Sequence, residues 1–385
     1  MTEPGRQRAR AGQRAMLLVS EPTVGVGEKL ALAEVIDSNW ITMGGRVEAF
    51  ERAFSAQHQA EDAVAVNSCT AGLHLALQAL GIGPGDEVLV PSLSFVATAN
   101  CALYCGATPV FVDVEAADLP LISLNDATAR LSPRTRAVIV MHYAGYMADA
   151  QAWRSFADAH GLFLIEDSAH AVGPGRGPVF GDVAAFSFYG NKNMTTAEGG
   201  MVIAPDPDLL ERVRRARGHG MTSGTAERLH SRVPTYDVTM LGFNYRMTEL
   251  NAAIGLVQLR QLDAWNAQRE RLTRAYRRHL SRRCPDVSVP FPVPLASTYH
   301  ILPALLPAHA DRAVVMDRMR SAGIQTTFHY PPIHQLSYYR DRFPAVVLPH
   351  TEAFAARELT LPLHPRLSEP QVEEIVGSLV AALAD

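Results

Sequence analysis

The chain has 385 residues, of which 48% are hydrophobic and 19% charged, with a net charge of −4 at neutral pH. That length leaves room for a large core and two or three domains, and the near-balanced charge gives no footing for nucleic acid as the main partner. No apolar run approaches the roughly 18 residues of a membrane span. "MLLV", which follows the basic run Arg6, Arg8, Arg10 and Arg14, is too short for a signal-peptide core. Cys69, Cys101, Cys105 and Cys284 read as reduced thiols, so the cytoplasm is the expected compartment.

Residues 1–20 read as a flexible leader. "GEKLALAEVIDSN" and "GRVEAFERAFSAQH" then predict two amphipathic helices around the turn "WITMGG". "CTAGLHLALQALG" predicts a third, with Leu73, Leu77 and Leu80 on its apolar face and Gly81 as its stop. Strands are expected at "EVLVPSLSF", "PVFVDV", "RAVIVMHYAG", "LFLIEDSAH", "VAAFSFYG" and "GGMVIA". Helices fall between them at "ATANCALYCG" and "DAQAWRSFADAHG". Near-continuous Val/Ile/Leu strands alternating with helices predict a mostly parallel sheet flanked by helices. One long helical stretch is expected from about 246 to 280. Beyond it, a Pro/Val-rich segment and a mixed set of elements predict a smaller α/β domain at 266–385, after a large domain at 21–265.

Three features fall on one edge of that sheet. "VAVNSCTAGLHLAL" runs a strand into a polar turn that opens a helix, so the N–H groups there, with the hydroxyls of Ser68 and Thr70, offer an anion site. Taken alone, an ordinary helix cap at Ser68 is the stronger reading of this turn. "LFLIEDSAH" ends a buried strand in Glu166-Asp167 and then His170, where open α/β sheets place ligand contacts. A helix cap or salt bridge is the alternative, and no metal-ligand pattern accompanies the pair. Finally, "SFYGNKNMTTAEGGMV" holds Lys192 between two strands, with Ser187 and Thr195 near it. A lysine, an acid and an anion cradle are what an aldehyde cofactor bearing a pyridinium ring and a phosphate requires. The residues thus point to pyridoxal 5′-phosphate on Lys192.

The blocks "NSCTAGLHLAL", "DEVLVPSLSFVATANC", "GATPVFVDV", "IEDSAHAVG", "SFYGNKNMTTAEGGMV" and "GFNYRMTELNAAIGLVQL" together resemble the sugar aminotransferases of the DegT/DnrJ/StrS type. The resemblance covers residues 20–380 and implies the fold-type I aminotransferase architecture. It implies that Lys192 forms a Schiff base with the cofactor and moves the proton. Asp167 would face the ring nitrogen, His170 would lie near the ring hydroxyl, and Phe95 would cover the ring. Ser187 and the Ser68-Cys69-Thr70 turn would take the phosphate, Cys69 through its N–H. Asn244 would reach across a homodimer into the partner's site. Plain readings also stand: Phe95 as core, Asn244 as cap of a helix near Tyr245, His170 held by backbone alone.

Around the lysine many members carry Pro-Thr where this chain has Gly190-Asn191, a variant met in perosamine-synthase-like relatives, and Gly where it has Ala197. Alanine suits that position where φ stays negative. The implied reaction moves an amino group from an amino acid, glutamate by resemblance, to a nucleotide-linked keto-sugar, with no metal. Thr42, His329, Tyr330 and His334 are candidate acceptor contacts, and packing between domains explains these aromatics equally well. A non-sugar ketone or cyclitol as acceptor, and a non-catalytic cofactor-binding regulator, are the competing readings. Lys192 argues against a dehydratase, whose lysine is replaced by histidine, and a nicotinamide enzyme lacks its G-x-G-x-x-G here.

Overall fold

The computed structural model describes residues 15–224, 228, 235–291 and 295–384. The apolar runs form strands where the sequence places them: β1 (Val64–Val66), β2 (Glu87–Pro91) and β3 (Thr108–Val112). A small hairpin, β4 (Val114–Ala116) and β5 (Leu119–Ile122), follows. The sheet resumes with β6 (Thr135–Met141), β7 (Phe163–Asp167), β8 (Val183–Ser187) and β9 (Gly200–Ile203). The seven-stranded order is β1-β9-β8-β7-β6-β2-β3. Five neighbours, β8 to β3, run parallel. β9 is antiparallel to both β8 and β1. The segment between β8 and β9 carries no crossover helix, and a parallel return needs one. The lysine loop is therefore a direct reversal at the carboxyl edge of the sheet.

Adjacent acids on β7 part company because successive side chains of a strand face opposite ways. Glu166 is fully buried and meets the Arg176 guanidinium, also fully buried. It also accepts His142 Nε2–H at 2.9 Å and the N–H groups of Phe180 and Gly181 at 2.8 Å each. Burial alone would raise this carboxyl; Arg176 and His142 outweigh it and hold it below the usual range. Removing one member of such a set strands the other charge. Arg176→Leu should lower stability by about 3–5 kcal/mol, read as a fall in the urea midpoint at unchanged slope.

A second core lies toward the C-terminus. β10 (Leu302–Leu305) and β11 (Glu358–Leu361) pair antiparallel. Leu272, Tyr276, Leu302, Leu361 and Ile375 pack together there, drawn from both strands and the helices Leu262–Arg283 and Glu369–Leu383. The helix Leu262–Arg283 runs through the expected boundary at 265/266. Its Leu262 packs with Phe50 and Phe54, its Leu272 with the second core.

Two expectations are corrected. The leader expected to 20 is tied down from Leu17: its N–H donates to Gly323 O at 2.9 Å, and Gln325 N–H donates to Leu17 O at 2.8 Å. The leucine side chain packs on the second core, which is what anchors the segment. Nor is 246–280 one helix. Thr248 caps a helix at Glu249–Leu259 by accepting Asn251 N–H, while Arg246 lies in a bridge beside Val66. A tight turn, Gln261 N–H to Gln258 O at 3.0 Å, separates it from the next helix. No helix among the described residues is long and apolar enough to cross a membrane.

Candidate active site

The carboxyl ends of β1, β2, β6, β7 and β8 deliver their following residues to one cavity of about 440 Å³. Ser68, Cys69 and Thr70 line it from β1, Phe95 from β2, Asp167 and His170 from β7, and Ser187 and Lys192 from β8. His329 and Tyr330 close the remaining wall. Ten of the sequence-predicted site residues thus converge. Thr42, Asn244 and His334 do not.

At the β1 turn, Ser68 caps the helix Cys69–Ala79 by accepting Ala71 N–H at 3.1 Å. The helix start can come this close to the sheet because residue 200 is glycine: a Cβ there would stand 2.6 Å from the Ser68 carbonyl carbon and 2.7 Å from Cys69 N. Gly199 is equally confined, 2.2 Å from Thr196 Oγ1 by the same measure. First-turn N–H groups and a positive helix end favour an anion. Burial pushes the Cys69 thiol well up, with Asp167 adding to it, so the thiol stays neutral.

Asp167 has both oxygens engaged on the protein side. Oδ2 accepts Thr98 Oγ1–H at 2.7 Å and Oδ1 accepts Ala169 N–H at 3.1 Å. Ser94 holds Thr98 in turn at 2.5 Å. Burial raises the Asp167 carboxyl; these donors and Lys192 counter it without restoring the ordinary value. A positive group placed against it would complete the balance.

His170 is neutral, driven well below its ordinary value by burial and then by Lys192 and two neighbouring histidines. Ala144 N–H donates to Nδ1 at 3.2 Å, so the ring proton sits on Nε2, which faces Tyr330 Oη at 2.8 Å. Backbone alone does not satisfy it. Phe95 is 56% exposed, a rim residue and not core.

Lys192 Nζ has no hydrogen bond or ion pair among the described residues, and burial lowers it to about 8 against Cys69 and Asp167. Only one other lysine, Lys29, occurs among the 35 Lys and Arg residues, and it lies exposed on the helix Val26–Asp37. That scarcity was an unread signal. Asn191 Oδ1, in the same wall, is buried without a partner. An unpaired amine, an acid awaiting a cation, a helix start and an exposed aromatic ring together fit pyridoxal phosphate. Lys192 would hold its aldehyde, Asp167 its ring nitrogen, Ser187 and the Ser68–Thr70 turn its phosphate.

Three expectations change. His334 is spent on structure: Nδ1 bonds Ser92 Oγ at 2.7 Å and Nε2 bonds Glu352 Oε1 at 3.1 Å, which pins its turn to the end of β2. Thr42 lines another cavity with Arg217, His219 and Arg246. Asn244 is exposed and bridges Gly218 next to that cavity; with the helix capped by Thr248, it caps nothing. Ala197 has φ 69°, so alanine sits where glycine is favoured, at a strain of about 1–2 kcal/mol. Thr98, Tyr189, Asn191 and Glu198 were not foreseen. Thr98 sits inside a helical run, where nothing local marks it.

A wide sheet with a lysine, a carboxylate and a helix start around one cavity at its carboxyl edge is the layout of a pyridoxal phosphate-dependent transaminase. Over residues 23–380 the chain matches the DegT/DnrJ/EryC1/StrS aminotransferase family, and it belongs to that family. Its members depend on pyridoxal phosphate. Among solved structures it is similar to the aminotransferase TlmJ from Streptoalloteichus hindustanus, with 35% identity over 96% of this chain and 99% of that one, TM-score 0.87. Helicobacter pylori PseC, an aminotransferase involved in pseudoaminic acid biosynthesis, shares 28% identity over 96% and 99%, TM-score 0.88. DesI, solved in the presence of its TDP-sugar product, shares 30% over 97% and 94%, TM-score 0.85.

Proposed function

We propose that this sugar aminotransferase transfers the amino group of glutamate to a nucleotide-linked ketohexose. The carrying observation is the unpartnered Lys192 amine in the same cavity as an acid whose two oxygens are already fixed. Pyridoxal phosphate, when bound, supplies an aldehyde that takes up the amine and a ring that draws electrons from the adjacent carbon. Lys192 anchors it and, once displaced, carries the proton to and from the reacting carbon. Its lowered value of about 8 leaves a useful fraction unprotonated near neutral pH. Asp167 holds positive charge at the ring nitrogen, in a geometry Thr98 sets. His170 and Tyr330 form a neutral donor pair beside it, and Phe95 covers the ring. The sugar-nucleotide acceptor is supported by family membership and by the TDP-sugar product of DesI. The test is to load the enzyme with amine from glutamate and offer keto-sugar nucleotides, cyclitol ketones and simple ketones in turn. Loss of the pyridoxamine spectrum with the nucleotides alone is expected; equal reaction with the simple ketones rejects the reading.

Asn244, with Thr42 on the surface beside it, would complete the site of a second copy in a homodimer. Lys192→Ala and Asn244→Ala chains, each inactive alone, should then regain partial activity when mixed dimers form. Mixed dimers without recovery would exclude shared sites.

A further inference from the structure

One wall residue of the cavity, His329, is wired to a buried acid. Its Nδ1 lies 2.8 Å from Thr360 Oγ1, and that hydroxyl lies 2.6 Å from Glu358 Oε1. The other oxygen, Oε2, accepts the His329 backbone N–H at 2.8 Å. Glu358 is 1% exposed, and no cation pairs with its carboxylate among the described residues. Arg312, from the helix Arg312–Ser321, turns its Nη1 to the carbonyls of Ala355 and Glu358 and stacks over Phe328 at 4.3 Å. The other titratable groups facing this acid are Tyr143, whose hydroxyl donates to His329 O, and Tyr330. Lys192, His170 and His300 face the imidazole itself.

A hydroxyl between a carboxyl and an imidazole nitrogen has one proton to give, so this chain of bonds has two polarities. We propose that Glu358 is a positioning residue which, through Thr360, decides whether His329 offers an N–H or a lone pair to the Lys192 cavity. With Glu358 ionised, Thr360 donates to Oε1 and accepts from His329 Nδ1–H, leaving Nε2 as an acceptor. With Glu358 protonated on Oε1, the acid donates to Thr360, Thr360 donates to Nδ1, and the imidazole proton moves to Nε2. The ring stays neutral in both states, since burial and then Lys192 hold it at about 4. Burial raises Glu358 to about 8 against Thr360, the His329 N–H and Arg312, so the two polarities exchange in the working range of an enzyme. The N–H form suits a ketone oxygen; the lone-pair form suits a hydroxyl or an ammonium group.

The consequence for turnover rests on the transaminase reading of the cavity, whereas the tautomer does not. The experiment is nitrogen NMR of ¹⁵N-histidine-labelled holoenzyme from roughly pH 6 to pH 10, with His329 assigned by loss of its signals in His329→Asn. Wild type should show the proton on Nε2 at low pH and on Nδ1 at high pH, with a midpoint near the Glu358 value of about 8. In Glu358→Gln the position of Oε2 must still accept the His329 N–H, so the amide NH₂ faces Thr360 and locks the Nε2–H form at every pH. Thr360→Val, which removes only the relay hydroxyl, should abolish the titration and covers the case that Glu358→Gln fails to fold. In parallel, kcat/KM for the keto acceptor in wild type, taken as a ratio to that of Glu358→Gln at each pH so that the Lys192 titration common to both cancels, should fall about tenfold across the same midpoint, the worth of one hydrogen bond. A single His329 tautomer throughout, or a Glu358→Gln enzyme that titrates like wild type, overturns the inference. A titrating tautomer in an enzyme inactive on every keto-sugar would overturn the substrate reading and leave this inference standing.

Discussion

Lys192→Ala should lower transamination by at least about 10⁴-fold, the scale set by removing a nucleophile that also carries the proton. The fold should survive, because Nζ has no partner to lose among the described residues. Borohydride reduction of the loaded wild type should tag the peptide 187–202 and nothing else. With Lys29 as the only other lysine, the mass map has two lysines to distinguish. A tag on Lys29, or an untagged holoenzyme, removes Lys192 from its role.

The second large effect is expected at Asp167. Asn keeps the shape and removes the charge, so Asp167→Asn should lower kcat by roughly 10²–10³-fold, as when a fixed electrostatic partner is lost from a dry site. Stability of the cofactor-free protein should not fall, because burial already disfavours this carboxylate. Thr98→Val keeps the charge and removes one donor at 2.7 Å; about tenfold is the corresponding expectation. Steady-state kinetics with thermal melts of both variants separates charge from geometry. Equal losses in the two would mean that Asp167 acts through its hydrogen bonds and not its charge.

What the sequence made legible was local. A continuous apolar strand ending in polar residues announces itself, which is how Ser68, Asp167, Ser187 and Lys192 fall together at one edge. Partners supplied by distant elements leave no such trace. Thr98 reads as one more small residue of a helix, and Thr360 as an ordinary strand position beneath His329. The direction of β9 was hidden too, since a buried strand is apolar on both faces whichever way it runs. His334 misled because a histidine in an aromatic loop says nothing about where its nitrogens are bound; Ser92 and Glu352 hold them. Whether alanine suits position 197 was left open for a like reason, its backbone dihedral being invisible until the lysine loop is folded.

Glu166 and Asp167 are chemically near-identical neighbours with opposite assignments, one neutralised by an arginine, the other kept in reserve. Only the phase of β7 tells them apart. A slip of one residue in that strand would turn every side chain to the opposite face, taking Asp167 from its place in the cavity and setting Glu166 or Ser168 there. Parallel partners on both flanks hold the frame. Length changes that surface loops absorb would be lethal to function here, even where the protein still folded.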